Sequence, residues 1–512
     1  MGTGTLNRVP NTSAAPAIGQ RRTVVLLAGF VLLGLAIALV AGYFAGSSDS
    51  GLLIAAVGIL LAPPLIALVV MAGADLMPMA RVLSANWTWW HPLWFLTFAS
   101  MLVFRIREGS AATANPLDAN ALMRIACEGF VAFSLIVRLV LRKPFWLGSL
   151  FRGLVGALGL YCVASIISTA WSVNPPWTAY KSLEFLVDVS LLASIVASAE
   201  SWLDFKKLFD WTVTFYGAAL VVVWINVPIF PTDAWDGGRL TGVIPVEASN
   251  AVGAEGAVLA LVALCRLIPM FGRAKNRAWY LFLFLFGLTS MVLSQTRNAE
   301  AAFVIGVLLI AVFSPPMRKL VLRVTAVVAP IIAVSVYFNQ WMWHKATQVA
   351  ISFFAREQST DAVESLSGRL GWWTYGLHLL SQHPFTGIGA YGGRFAVLDK
   401  LGVGSAAMMH SDWIEVVIGT SFWGLIPFTA ALLGAWWYLI RCVRSSKFTE
   451  EQRQLALEMI ALLAMLTLHS FFNDEMSWHA PLLYFSIVAY AEFARRRNKY
   501  DPDSMMGSNR YL

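Results

Sequence analysis

Four side chains in polar turns of an apolar chain have the chemistry to bind and transfer a charged group. They are Arg239 within DGGRLTG, Arg297 within SQTRN, Arg369 within SGRLGWW and His410 within MMHSDWIEVV. A planar guanidinium binds phosphate oxygens bidentately, so three arginines facing one cavity would suit a pyrophosphate. An imidazole with an ordinary pKa of about 6.5 exchanges protons near neutral pH. The alternatives are arginines that only anchor the ends of membrane helices and a histidine at the surface.

The two carboxylates after His410 have a structural interpretation. With Asp412 as the N-cap of a helix, Glu415 falls at its N3 position, and the pair forms a variant of the capping box. We therefore expect Asp412 and Glu415 to support a helix start. His410 would then lie just ahead of that helix, free to face a cavity.

Neither a cofactor nor a metal site is predicted. GIGAYGG at Gly387–Gly393 matches GxGxxG, but it follows a predicted helix and belongs to no βαβ unit, which argues against a dinucleotide site. The four cysteines are scattered without a CxxC pair, and His469 and His479 lack metal-ligand spacing. We expect chemistry that uses the side chains of the protein alone.

A second polar group lies inside an apolar run. Lys181, Glu184 and Asp188 share one face of a predicted helix. Charges within a membrane helix invite a functional hypothesis. Pairing between helices and an ion path are the two alternatives.

The composition is that of an integral membrane protein. The chain has 512 residues, of which 58% are hydrophobic and 13% charged, whereas soluble globular proteins carry about 45–50% apolar and about 25% charged residues. Repeated apolar runs of about 20 residues can cross a ~30 Å hydrocarbon core as helices, unlike the alternating ~10-residue pattern of a β-barrel. The net charge of +8 comes from basic residues spread between these runs, so we expect no nucleic-acid partner.

The pattern predicts an all-α polytopic membrane protein of about 12–14 transmembrane helices, with a large, partly helical outside loop capping the bundle. We divide the chain into a disordered cytoplasmic leader (1–22), a transmembrane bundle of about 11 spans (23–338), an outside loop domain (339–410), a bundle of about 3 spans (411–494) and a cytoplasmic tail (495–512). The predicted spans lie near 23–46, 51–72, 91–105, 121–141, 148–170, 179–199, 208–230, 247–265, 279–296, 298–314, 320–338, 412–440, 455–472 and 479–494.

Positive charge sets the predicted orientation. With the N-terminus inside, lysines and arginines between the spans lie more than twice as often on the inner side as on the outer side. Both termini are then cytoplasmic and the loop 339–410 is outside. Within that loop, a helical spacing of apolar residues before Pro384 predicts a helix, with Trp372, Trp373, Leu377 and Leu380.

The order of these motifs resembles the O-antigen ligase/polymerase family. The elements are an RLxG turn followed by a helical asparagine, a polar SxTRN turn, a loop with RxxxW and PxxGxG, and a histidine before a helix. In this sequence they are Arg239, Gly242 and Asn250; Ser294, Thr296 and Arg297; Arg369, Trp373, Pro384, Gly387 and Gly389; and His410 with Gly424. The chain departs from the family pattern after His410, where Ser411 replaces a common asparagine and only Gly424 of a helical ExGxxG motif is kept.

The resemblance implies glycan transfer at the periplasmic face of a bacterial inner membrane. The donor would be a glycan on undecaprenyl pyrophosphate, and the acceptor another lipid-linked chain in a polymerase or lipid A core in a ligase. Membrane lipids are further partners. The residues that would bind pyrophosphate and glycan are Arg239, Arg297, Arg369, Asn250 and Trp373. Arg297, Arg369 and His410 would also act in the transfer itself, without a metal.

Two alternatives to an O-antigen or exopolysaccharide polymerase stay open. Fourteen predicted spans exceed the roughly twelve expected of a ligase, an analogy that favours a polymerase but leaves a lipopolysaccharide ligase as the alternative. A lipid-glycan flippase or transporter is the alternative from another class, which the Lys181, Glu184 and Asp188 face would serve. Transporters are typically built from repeated halves with broken helices, and the sequence shows no such repeat.

Overall fold

The described part of the chain is almost entirely helical. The computed structural model describes residues 88–103, 119–141, 146–272, 276–338, 369–398, 400–401 and 409–499. Outside these ranges lie the predicted leader, the predicted spans 23–46 and 51–72, residues 339–368 and 402–408 of the predicted loop, and residues 500–512 of the predicted tail.

The helices are α1 Trp90–Met101, α2 Ala119–Val140, α3 Trp146–Ser149, α4 Gly153–Ile167, α5 Pro175–Ser198, α6 Trp202–Ile229, α7 Ser249–Leu267, α8 Arg277–Leu293, α9 Arg297–Phe313, α10 Pro315–Phe338, α11 Arg369–Gln382, α12 Asp412–Arg444, α13 Glu450–His469 and α14 Leu482–Lys499. A 3₁₀-helix at Ser168–Trp171 continues α4, and a π-helix spans Arg394–Leu398. Two short strands, β1 Trp235–Asp236 and β2 Arg239–Leu240, form an antiparallel hairpin.

A helix lies at each predicted span within the described ranges, so the all-α membrane fold is confirmed. Within the described ranges, four helical segments have the length and hydropathy to cross a membrane, namely α4 with its 3₁₀ continuation, α6, α7 and α12. Helices α9 and α10 meet that requirement only together and are bent by 120°. Where the sequence predicts two spans, 298–314 and 320–338, length and composition therefore support one broken span or a re-entrant segment.

Helices α7 and α8 approach each other at their backbones. A Cβ atom on Gly256 would lie against the carbonyl of Gly287, and one on Gly287 against the carbonyl of Gly256. Small residues permit this closeness, which favours helix association in lipid. The β1–β2 hairpin precedes α7 and the SQTRN turn follows α8, so this packing brings two of the predicted motifs to one end of the bundle.

Helix α12 is interrupted where the PxxGxG segment docks on it. Ser421 has φ 53° and ψ −147°, outside the helical region. The carbonyls of Ile418 and Gly419, just before the break, accept the N–H groups of Ile388 and Gly389 at 2.9 and 3.0 Å. The glycine-rich segment therefore forms backbone hydrogen bonds with a broken helix, a structural role in place of the rejected nucleotide site.

Helix α11 confirms the helix predicted before Pro384. The segment that follows it packs on α12 through a small apolar core of Ile388, Val397, Met409 and Ile418. Trp372 and Trp373 of α11 pack against the same core. The described part of the predicted loop is thus a folded unit resting on the first turns of α12.

Candidate functional site

Arg239 lies in the β1–β2 hairpin, held by neutral partners. Its Nε donates to the carbonyl of Ser294 at 3.2 Å, and its Nη2 donates to Asn250 Oδ1 at 3.2 Å. Burial lowers the pKa of Arg239, the Asp236 carboxylate partly offsets this, and the nearby charge of Arg297 lowers it further. The predicted Asn250 thus orients Arg239 through a direct hydrogen bond.

Arg297 is the first residue of α9 and follows a turn that is held in place by side-chain hydrogen bonds. The Thr296 hydroxyl donates to the carbonyl of Ser249, the first residue of α7, at 2.9 Å. The Ser294 hydroxyl donates to Thr296 Oγ1 at 3.1 Å. These bonds fix the SQTRN turn next to the Arg239 hairpin. Since Arg239 donates to Ser294 in the turn that leads into Arg297, two guanidinium-bearing residues lie at this place, and an anion there would be stabilised by their charge.

Arg369 and His410 form a second pair. Arg369, which begins α11, donates from Nη1 to the carbonyl of Phe472 at 2.7 Å. Burial lowers the pKa of His410 to about 4, and the charge of Arg369 contributes to this shift. The imidazole ring centroid lies 6.2 Å from the ring of Trp372. His410 is therefore neutral at pH 7 and lies beside a cation.

Trp373 contacts the segment that leads into His410. Its indole N–H donates to the carbonyl of Met409 at 2.9 Å. The structure therefore places this predicted glycan-binding residue next to His410, with its indole N–H already bound to the backbone. The aromatic ring packs 6.4 Å from that of Phe472, beside the carbonyl that binds Arg369.

The predicted capping box at the start of α12 is wrong. The N-cap is Ser411, whose hydroxyl accepts the N–H of Ile414 at 3.4 Å. Asp412 is the first helical residue, and Glu415 accepts the N–H of Met409 at 3.3 Å instead of capping the helix. The serine hydroxyl, one residue earlier, leaves the Asp412 carboxylate available for a distant partner.

That partner is the 470–481 turn, which connects α13 to α14. The Asp412 carboxylate accepts the backbone N–H groups of Glu475, Met476 and Ser477 and the hydroxyl of Ser477. Asp412 is fully buried. Both carboxylates near His410 therefore support the site's backbone, Asp412 on the 470–481 turn and Glu415 on the segment before His410.

Asp474, in the 470–481 turn, was missed in the sequence. Its Oδ1 accepts the N–H of Ser411 at 3.0 Å, whereas its buried Oδ2 has no hydrogen-bond partner among the described residues. Burial and the charges of neighbouring carboxylates raise the pKa of Asp474 well above its ordinary value. Its charge acts on Arg369, so this carboxyl group belongs to the Arg369 and His410 pair. The only signal was the acidic NDE within FFNDEMSWHA.

The segment that joins α13 to α14 links the two arginine groups. Asn298, next to Arg297, donates to the carbonyl of His469 at 3.4 Å. Arg369 donates to the carbonyl of Phe472, three residues later. The structure therefore brings Arg239 together with Arg297, and Arg369 together with His410, and both groups rest on one stretch of chain.

Residues 281–429 match the family model described as O-Antigen ligase. This region belongs to the O-antigen ligase family. The matched region runs from α8 into α12 and includes Arg297, Arg369 and His410, whereas Arg239 precedes it. No curated protein matches the chain.

The family that matches residues 281–429 implies glycan transfer of the O-antigen ligase/polymerase type by a membrane enzyme. Its general partners are a lipid-linked glycan and an acceptor. Together with the helices that can span a membrane, the family indicates a protein of the bacterial inner membrane.

Proposed function

We propose that this O-antigen ligase family protein moves a glycan from undecaprenyl pyrophosphate to a sugar hydroxyl at the periplasmic face, with both termini in the cytoplasm. The observation that carries the proposal is the hydrogen bond from Arg239 to the carbonyl of Ser294, in the turn that leads into Arg297. Asn298 and Arg369 both donate to carbonyls of the same segment, at His469 and Phe472. Nucleotide sugars and ATP are absent from the periplasm. A transferase acting there needs a donor that carries its own leaving group, and a lipid pyrophosphate provides one.

The arginines would bind the donor pyrophosphate and stabilise the charge that develops as it leaves. The guanidinium of Arg239 donates to a backbone carbonyl and to a side-chain amide, both of which are neutral. Its positive charge is therefore available to bind an anion. Removing one donor of this kind commonly lowers the rate by ~10²–10³. Because the arginines supply this charge, we propose that no metal acts at the pyrophosphate, and transfer is expected to be independent of added Mg²⁺.

His410 would accept a hydrogen bond from the acceptor hydroxyl. The hydroxyl oxygen attacks the anomeric carbon, the carbon–oxygen bond to pyrophosphate breaks, and its electron pair leaves with the pyrophosphate oxygen. The hydroxyl proton passes to His410 Nδ1 or Nε2 and then to solvent. With its pKa lowered to about 4, His410 is a weak base in the free protein. A pyrophosphate bound to Arg369 would offset the cation that contributes to this shift and raise the basicity of His410.

We propose a polymerase that lengthens O-antigen or exopolysaccharide, with a ligase as second candidate. The polymerase rests on the analogy of fourteen spans predicted from the sequence, two of which precede the described residues. Two others, 298–314 and 320–338, have the length and composition of one broken span. The ligase, which would use lipid A core as acceptor, is favoured by the description of the matching family. The two activities share the donor and the arginine groups and differ in the acceptor.

Purified protein in vesicles tests the proposal, with lipid-linked repeat units on one face only. Covalent lengthening of the glycan is expected, and the loss of that product in Arg297→Gln links it to the site. Adding lipid A core identifies the acceptor, because a ligase consumes it and a polymerase does not. Movement of the lipid-linked glycan across the vesicle without new glycosidic bonds would instead show a flippase.

A further inference from the structure

A second group of buried polar side chains lies where α2, α5 and the 470–481 turn meet. Glu128 of α2, Asp188 of α5 and His479 of the turn are 7%, 1% and 6% exposed. One ligating atom from each lies within 4.8 Å of the other two. These residues are far apart in sequence, so their spacing gave no sign of a site.

Each of the three side chains has a buried atom that lacks a hydrogen-bond partner in the described part of the chain. These atoms are Glu128 Oε2, Asp188 Oδ1 and His479 Nδ1. His479 Nδ1 lies 3.4 Å from Asp188 Oδ2, so the ring faces the carboxylate. An unsatisfied buried polar atom costs about 1–3 kcal/mol, and more when the group is charged. Three such atoms in one place point to a missing ligand.

The nearby cations are committed to another carboxylate. Lys181 Nζ lies 2.6 Å from Glu184 Oε2, and Arg124 Nε lies 3.9 Å from Glu184 Oε1. Among the described residues, the only ion-pair partner within 4.0 Å of Glu128 or Asp188 is His479. All three carboxylates lie near the imidazole, since Glu184 Oε1 is 3.6 Å from His479 Nδ1. Of the three, only Glu128 and Asp188 have no lysine or arginine within 4.0 Å among the described residues.

We propose that Glu128, Asp188 and His479 bind one divalent transition-metal ion of the Zn²⁺ or Mn²⁺ type. Carboxylate oxygens together with an imidazole nitrogen suit these ions better than Mg²⁺ or Ca²⁺, which prefer oxygen ligands alone. The rival explanation is a proton that neutralises one carboxylate. The proposal departs from the expectation from the sequence that the protein has no metal site.

The surroundings of His479 fit a metal ligand. With Nδ1 on the ion, the Nε2–H group donates to Ser100 Oγ, which lies 2.7 Å away. The Ser100 hydroxyl has two acceptors for its one hydrogen, Glu128 Oε1 at 3.0 Å and the carbonyl of Thr97 at 2.6 Å. A ligating histidine usually donates its second N–H to a fixed acceptor, which sets its tautomer and ring orientation. The Ser100 hydroxyl does this here and connects two of the three ligands.

The ion would hold the 470–481 turn against α2 and α5. Ala480, next to His479, already donates its N–H to Asp188 Oδ2 at 2.8 Å. The same turn is bound by Asp412, and its Phe472 carbonyl accepts from Arg369. The metal therefore has a structural role behind the proposed transfer site, and it contacts neither Arg369 nor His410.

Metal content of the full-length protein tests the proposal without any glycan substrate. After purification in detergent and removal of loosely bound ions, mass spectrometry is expected to find about one equivalent of Zn²⁺ or Mn²⁺ per chain. Glu128→Gln and Asp188→Asn should lose it. Glu458→Gln is the matched control, because this buried carboxylate pairs with Arg266 outside the group and should leave the metal in place.

Thermal unfolding gives a second measurement. After chelation, adding Zn²⁺ should raise the Tm of the wild type and of Glu458→Gln but not of the two ligand variants. Where the variants fail to fold, Co²⁺ added to chelated wild type should give the d–d absorption of a low-symmetry nitrogen and oxygen site. A folded wild type with no metal, no Co²⁺ spectrum and no Tm response overturns the proposal in favour of a proton. None of these measurements depends on glycan transfer, so a negative result for the metal site would not contradict the proposed function.

Discussion

Asp412 Oδ1 accepts hydrogen bonds from both the backbone N–H and the hydroxyl of Ser477, at 2.7 and 2.6 Å. The other oxygen accepts the N–H groups of Glu475 and Met476 at 3.1 and 3.0 Å. The first residue of α12 thus binds three consecutive amides of a turn more than sixty residues away. His410 lies just before Asp412, and Asp474 lies just before the three bound amides. The hydrogen bonds of Asp412 therefore fix the position of His410 relative to Asp474.

Replacing Asp412 should destabilise the protein strongly. Asp412→Asn keeps one acceptor oxygen but directs an NH₂ group at backbone donors, so buried N–H groups lose their partner. We expect a loss of roughly 2–4 kcal/mol, since each unsatisfied buried group costs ~1–3 kcal/mol. Thermal unfolding in detergent measures this, with Asp233→Asn as the exposed control. An unchanged Tm for Asp412→Asn would show that the turn is held by other contacts.

Arg239 should be required for transfer but not for folding. Arg239→Gln keeps a hydrogen-bond donor toward Ser294 and Asn250 and removes the charge proposed to bind pyrophosphate. We expect the rate of glycan transfer to fall by ~10²–10³. Arg441→Gln, in the last turn of α12, is the matched control and should retain activity. Equal losses in both variants would assign the effect to membrane anchoring.

His410→Ala should lower the rate by ~10²–10⁴ if the imidazole takes the acceptor proton. His410→Gln separates proton transfer from positioning, because an amide can accept a hydrogen bond but cannot act as a base. A variant with Gln that recovers most of the rate shows that His410 orients the hydroxyl. Near-normal transfer by folded His410→Ala removes the residue from the mechanism altogether. Rates are compared in the vesicle assay at saturating donor.

Protonation of His410 should make the protein less stable in acid. The pKa of His410 is about 4 in the folded protein and ~6.5 when unfolded, so the unfolded state binds more protons between these values. This contribution to stability is fully present above the unfolded pKa and is lost as pH falls toward the folded pKa. From pH 7 to pH 5, the wild type should lose about 2 kcal/mol more than His410→Gln. Tm values of the two proteins at both pH values measure the difference, in which other titrating groups cancel.

Gly387 should tolerate no side chain, in contrast to Gly371. Gly387 has φ 68°, and a Cβ there would run into the carbonyl of Ile418 and the backbone of Gly419. Gly387→Ala should therefore cost more than about 1 kcal/mol and displace the segment from α12. Gly371, inside α11, has nothing within 4 Å of its Cβ position, and alanine there should stabilise the helix by up to ~1 kcal/mol. Similar Tm changes in the two variants would contradict this docking.

Much of the fold follows from local pattern. Apolar length predicted a membrane protein, and a helix lies at each predicted span among the described residues. Helical spacing before Pro384 predicted α11. Residue types selected the arginines and His410, and the order of their motifs indicated the family that the match to residues 281–429 supports. These features depend on neighbours within a few turns of chain, so a single sequence carries them.

Packing decided the rest. The capping box failed because the Ser411 hydroxyl satisfies the helix start and the carboxylate of Asp412 finds amides in another loop. The 120° bend after α9, the role of Asp474 beside Arg369 and the group around His479 likewise depend on contacts between distant segments. The type of a polar residue does not determine its role, since the same side chain can cap a helix, face solvent or belong to a functional site. Only the tertiary structure determines which buried partner each carboxylate or imidazole meets.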